Sequence, residues 1–155
     1  MDLEKVKEII RRKPPFFLFL SLGYLILTAF LKWTIHPSAG TLLFIVGGLI
    51  GVYFLDIAEV FFHLTPSPFR SIVFEAAFVI VSLFVVTSSG SAITSGLVLS
   101  LYLSLCLWQV GQWQIQHNLT DWYRMVNGTV PIEVQWWILV GTLVVFLIET
   151  LLFVF

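Results

Sequence analysis

Asp56 and Glu59 stand three residues apart in an apolar stretch, TLLFIVGGLIGVYFLDIAEVFF (residues 41–62), that holds no other side chain charged at neutral pH. A carboxylate at membrane depth costs roughly 2.5–3.5 kcal/mol on insertion scales, so it has a task or a partner. Carboxyls held inside a helix bundle can take up and release protons or hard cations. Repeated around the axis of an oligomer, an Asp and a Glu one turn apart become stacked acidic rings of the cation-channel kind. Glu75 in the next apolar run and Gln109 beyond it add oxygen donors. His63, seven residues after Asp56, adds a nitrogen and with it a second chemistry, a Zn, Mn or Fe centre on Asp56, Glu59 and His63, completed by Glu75 or His117. Against both stands a purely structural role, in which the acids bond to Arg70, Gln109 or tyrosines and fix the packing of one bundle.

The D-x-x-E spacing resembles the filter of the calcium uniporter family. The Trp and Pro that flank it there are Leu55 and Val60 here. The resemblance stops at the spacing and implies no membership. Nucleophilic catalysis has less to stand on: there is no G-x-S-x-G, P-loop, C-x-x-C or H-E-x-x-H.

The elements that position these residues follow from composition. Of 155 residues 59% are hydrophobic and 11% charged, whereas a soluble domain carries about 25% charged residues. A net charge of -1, with no basic stripe, gives no footprint for nucleic acid. Cys106, the only cysteine, cannot form an intrachain disulfide. The expected fold is an all-α integral membrane protein with one domain over residues 15–155. Apolar runs of about 20 residues fall at Pro15–Trp33, Thr41–Phe62, Ser71–Thr87, Ala92–Val110 and Gln135–Phe155. The polar turn SSGS (88–91) divides the third from the fourth, since together they would make one helix too long for a single crossing. No cleavable signal peptide is apparent before the first span.

Lys5, Lys7, Arg11, Arg12, Lys13, Arg70 and Arg124 then fall on one side of five crossings and Lys32 alone on the other. That asymmetry predicts a cytosolic N-terminus and a C-terminus on the opposite side. Two amphipathic helices are expected in the interface plane. One covers residues 1–14 and is stopped by Pro14 and Pro15; the other covers residues 112–126, with Ile115, Leu119, Trp122 and Val126 as its apolar stripe.

Depth brings the polar residues together. At 1.5 Å per residue, Asp56 lies roughly 10 Å inside the cytosolic edge and Glu75 about 7–8 Å inside it. Gln109 sits at the same edge, and Glu149 falls in the outer half, in need of a partner from another helix or from Lys32. Gly47, Gly51 and Ala58 form a small-residue strip on span two, opposite the acids, while Gly96, Ser100 and Ser104 form another on span four. An acidic face and a small face together place span two at the centre of the bundle.

The sequence therefore predicts a small, oligomeric membrane transporter or channel that handles a cation or protons. Asp56 and Glu59 would be its binding groups, with Glu75 and Gln109 in support and no obligatory cofactor. The alternatives are a non-catalytic subunit packed against a larger membrane complex, or a metal-dependent membrane enzyme using His63. The expected partners are the lipid bilayer, further copies of the chain or a membrane subunit.

Overall fold

The computed structural model describes residues 9, 13–64 and 66–155. Five α-helices are described in full: α1 Pro15–Ile35, α2 Gly40–Phe61, α3 Ile72–Ser88, α4 Ala92–Gln116 and α5 Ile132–Val154. A 3₁₀ turn over Thr120–Tyr123 lies between α4 and α5. No strand occurs among the described residues. The amphipathic helix expected over residues 1–14 lies almost wholly outside them.

Local chemistry sets the helix ends. Pro15 opens α1, where its missing N–H costs nothing and its fixed φ suits the first turn. The hydroxyls of Ser71 and Ser91 cap α3 and α4, accepting from Phe74 N at 3.3 Å and Thr94 N at 3.5 Å. His63 (φ 50) and His117 (φ 54) take left-handed conformations just past α2 and α4. The Leu64 amide then bonds back to the Glu59 carbonyl at 3.1 Å, closing α2 in the manner of a Schellman turn.

α1, α2, α4 and α5 are each long and apolar enough to cross a membrane; α3, also apolar, has 17 residues. Large apolar side chains such as Phe19, Phe30, Ile80 and Trp137 face outward. Both properties are consistent with an integral multi-pass membrane protein. All five helices run between the same two ends of the bundle. At one end Lys32 of α1, Gly40 of α2, Val86 of α3, Ala92 of α4 and Leu152 of α5 line a common cavity. At the other, Lys13 meets Asp56 of α2, Arg70 lies against Trp108 of α4, and the ring of Trp113 of α4 packs at a tilt against that of Trp136 of α5, 5.1 Å away.

α2 and α4 are the closest-packed pair. A Cβ built on Gly47 would lie 1.9 Å from the Ile93 carbonyl oxygen, on Gly51 2.3 Å from that of Leu97, and on Gly96 2.1 Å from that of Phe44. The two backbones touch, which only glycine permits. Within lipid, such close packing replaces the hydrophobic drive that holds soluble helices together. Ser100 and Ser104 are buried in the same interface, and Ser104 Oγ donates to the Ser100 carbonyl at 3.0 Å. The most enclosed helix is α4, with 61% of its apolar window buried against 44% for α2 and 22% for α1. The centre expected at span two therefore belongs to span four.

A further correction concerns residues 112–126, which do not form a separate interfacial helix. α4 runs unbroken to Gln116, because Gly111 is followed by good helix formers and nothing before His117 interrupts the ladder. Asn118 then makes the turn: its Oδ1 accepts from Thr120 N at 3.2 Å and its Nδ2 donates to the Gln116 carbonyl at 2.9 Å. The supposed stripe is split. Leu119 and Trp122 are buried, whereas Ile115 is 82% exposed.

Candidate functional site

Three groups of buried polar side chains lie along the bundle. The first is at the Arg70 end. Arg70 Nε and Nη2 grip the two oxygens of Glu59 at 2.8 and 2.9 Å, the forked geometry at which guanidinium and carboxylate match best. Nη2 also reaches Asp56 Oδ1 at 3.5 Å. Lys13 Nζ approaches Asp56 Oδ2 at 3.3 Å, donates to the Val52 carbonyl and lies 3.3 Å from Ser104 Oγ. The Arg70 guanidinium sits 4.1 Å over the Trp108 ring, and Lys13 Nζ 5.5 Å over that of Tyr53. Among the described residues, two acids and two bases form a quartet whose formal charges sum to zero.

The quartet is assembled by short-range geometry. Asp56 and Glu59 point the same way one turn apart on α2. Pro14 and Pro15 hold the chain extended before α1, so Lys13 turns its stem into the bundle rather than along its surface, and only 5% of it is exposed. Arg70 precedes the Ser71 cap of α3, which fixes the direction of its side chain.

The second group is Glu75, Gln109 and Tyr123. Glu75 sits in the first turn of α3, where the helix dipole favours negative charge. Gln109 Nε2 of α4 donates to Glu75 Oε2. Tyr123, in the 3₁₀ turn packed against α3, lies within the electrostatic reach of Glu75; burial first, and that carboxyl second, push its phenol up to about 12. Glu75 Oε1, Gln109 Oε1 and Tyr123 Oη are all buried without a hydrogen-bond partner among the described residues.

The third group is Glu149 of α5 and Ser82 of α3, joined at 3.0 Å. Glu149 is fully buried and its Oε2 has no hydrogen-bond partner among the described residues. The Ser82 hydroxyl also lies 3.0 Å from the Val79 carbonyl. The one Ser82 hydroxyl proton is thus divided between the Val79 carbonyl and Glu149 Oε1. Lys32, the basic residue nearest in sequence logic, instead donates to the Phe153 carbonyl at 2.6 Å and approaches that of Val154 at 3.4 Å.

The expected inner layer is thus split in two. Asp56 and Glu59 share the quartet, while Glu75 and Gln109 pair with each other. His63 joins neither. α2 ends at Phe61, so the i, i+7 register that would align His63 with Asp56 is broken, and the imidazole is exposed. No group of three or more His, Cys, Asp or Glu side chains suited to a metal ion occurs among the described residues. Sequence reasoning missed Lys13, Ser82 and Tyr123. Lys13 had a usable signal, as the one basic residue directly abutting the Pro14–Pro15 stop.

The chain matches no protein-family model, and no curated protein or solved structure resembles it significantly.

Proposed function

We propose that the chain is a small multi-pass membrane transporter or channel that handles protons, with Glu75 and Glu149 as the proton-carrying groups. One observation carries this reading. Both carboxyls are buried, each has one hydrogen bond and one oxygen without a hydrogen-bond partner, and no ion pair reaches either among the described residues. A buried carboxyl that lacks a counter-charge is completed by a proton or a small cation. Asp56 and Glu59 are poorer candidates for a permeant cation, because Lys13 and Arg70 already occupy their oxygens. The quartet acts instead as the seal of the Arg70 end.

Glu75 and the Ser82 partner of Glu149 lie seven residues apart on α3, roughly 10 Å along its axis. Tyr102 of α4 is buried between α3 and α5, its ring 6.0 Å from that of Phe78 and its hydroxyl donating to the Thr142 carbonyl at 3.1 Å. Transfer over that distance needs intervening water, admitted when α3 moves against α4 and α5. In this reading all five helices cross the bilayer. α3, at about 25 Å, does so with slight local thinning, and Lys13, Arg70 and Arg124 mark the cytosolic side. Several copies assemble, since α4 fills the centre of each bundle.

The test is proton flux into proteoliposomes under a potassium-valinomycin potential, read with an internal pH dye. Glu75→Gln and Glu149→Gln should each abolish flux while helicity and melting stay near wild type. Unchanged flux in both variants overturns the proposal. The pairing of Asp56 and Glu59 with Lys13 and Arg70 favours a second reading, a non-catalytic subunit of a larger membrane complex. Stoichiometric co-purification of the same foreign membrane chains, together with absence of flux, would select it.

A further inference from the structure

The cavity at the Lys32 end, about 300 Å³, is built differently from the rest of the bundle. Two long helices begin at its wall, α2 at Gly40 and α4 at Ala92. A Cβ on Gly40 would stand 3.5 Å from the Ala92 Cβ, so the two N-termini lie side by side. The first turn of α2 has no side-chain cap among the described residues, its Thr41 and Leu42 amides turning back to the Ser38 and Ala39 carbonyls at 3.1 Å, while Ser91 caps α4 through Thr94 N. Each N-terminus carries about half a positive charge.

Two further observations point to a ligand. Thr41 lines the cavity and is 7% exposed, yet its hydroxyl has no hydrogen-bond partner among the described residues. Among the described residues Lys32 is the one charged residue lining the cavity, and no carboxylate opposes it there. Its ammonium has three protons, of which the Phe153 and Val154 carbonyls take at most two. One donor remains for an occupant.

We infer that this cavity binds a phosphate oxyanion, held by Lys32, the Thr41 hydroxyl and the paired N-termini of α2 and α4. The same chemistry is offered by free inorganic phosphate and by the headgroup of an anionic phospholipid. Leu152 and Phe153 on the wall give an acyl chain an apolar border. This site is independent of proton handling by Glu75 and Glu149.

The test uses the full chain purified in a neutral maltoside detergent. One arm titrates inorganic phosphate by calorimetry. The other measures retention of phosphatidylglycerol against phosphatidylcholine by native mass spectrometry. Lys32→Gln should weaken binding roughly tenfold or more, the scale of one lost hydrogen bond to a charged group, and Lys32→Arg should retain most of it. Ala92→Asp leaves the Lys32 bonds to α5 intact and suits a helix start, but places an anion in the wall; it should weaken binding comparably. Phosphate binding with these losses identifies a solute site, and phosphatidylglycerol retention with the same losses identifies a lipid site. The inference is overturned if neither ligand binds, or if Lys32→Gln and Ala92→Asp bind both as the wild type does.

Discussion

Lys13 and Asp56 offer the sharpest quantitative test, because both are buried and their contact is direct. Their side chains are 3% and 1% exposed and 3.3 Å apart. At an effective dielectric near 20, unit charges at that separation attract by about 5 kcal/mol, most of which is offset by desolvation. Removing one partner from a buried pair costs about 3–5 kcal/mol. Here Arg70 stays 3.5 Å from the other Asp56 oxygen, so Lys13→Met should cost near the lower end, about 3 kcal/mol. Asp56→Asn should cost less, because Lys13 keeps the Val52 carbonyl and the Ser104 hydroxyl. The double variant should be less damaging than the sum of the two by about 2 kcal/mol, within the range of directly coupled residues. Reversible unfolding in maltoside micelles titrated with dodecyl sulfate measures all four corners of the cycle. Additive effects, with each single change below about 1 kcal/mol, would refute the assignment of Lys13 to the bundle interior.

Gly47→Ala should destabilise by about 1–3 kcal/mol, since its Cβ would meet the Ile93 carbonyl at 1.9 Å. Gly23→Ala, with nothing within 4 Å of the new Cβ, should be neutral or gain up to about 1 kcal/mol; the same unfolding assay compares them. Ser82→Ala removes the hydrogen bond of buried Glu149 and should cost about 1–3 kcal/mol, a loss that Glu149→Leu in the same chain should largely restore. Gln135 holds the loop after α4 from both sides, accepting from Leu119 N at 2.7 Å and donating to the Val130 carbonyl at 2.9 Å. Gln135→Ala should therefore speed amide exchange over residues 117–131 while leaving α2 protected.

The helices were legible because apolar runs and their stops are local. Pro14–Pro15 and the SSGS turn mark breaks that no distant contact is needed to see. Residues 112–126 misled for a related reason. Four glutamines between Gln109 and Gln116 look like the polar face of a surface helix, but glutamine continues a helix as readily as it faces water. The stop instead lies in the backbone conformation of His117, which residue type does not announce. Within the site, the acids were visible as anomalies, while their partners depended on tertiary geometry. Lys13 lies 43 positions from Asp56 and reads as one member of a basic cluster until the chain turns inward. Ser82 is one serine among many until Glu149 packs against it.

Because Gly47, Gly51 and Gly96 bring α2 and α4 together backbone on backbone, these two helices form one stiff girder. Sliding them would drive carbonyl oxygens into Cα atoms, and parting them would forfeit the backbone contacts between them. A rearrangement of the bundle would therefore fall to α1, α3 and α5, which pack less closely than this pair. Glu75 and Glu149 both sit on helices outside that frame, whereas Asp56 and Glu59 are bolted to the girder.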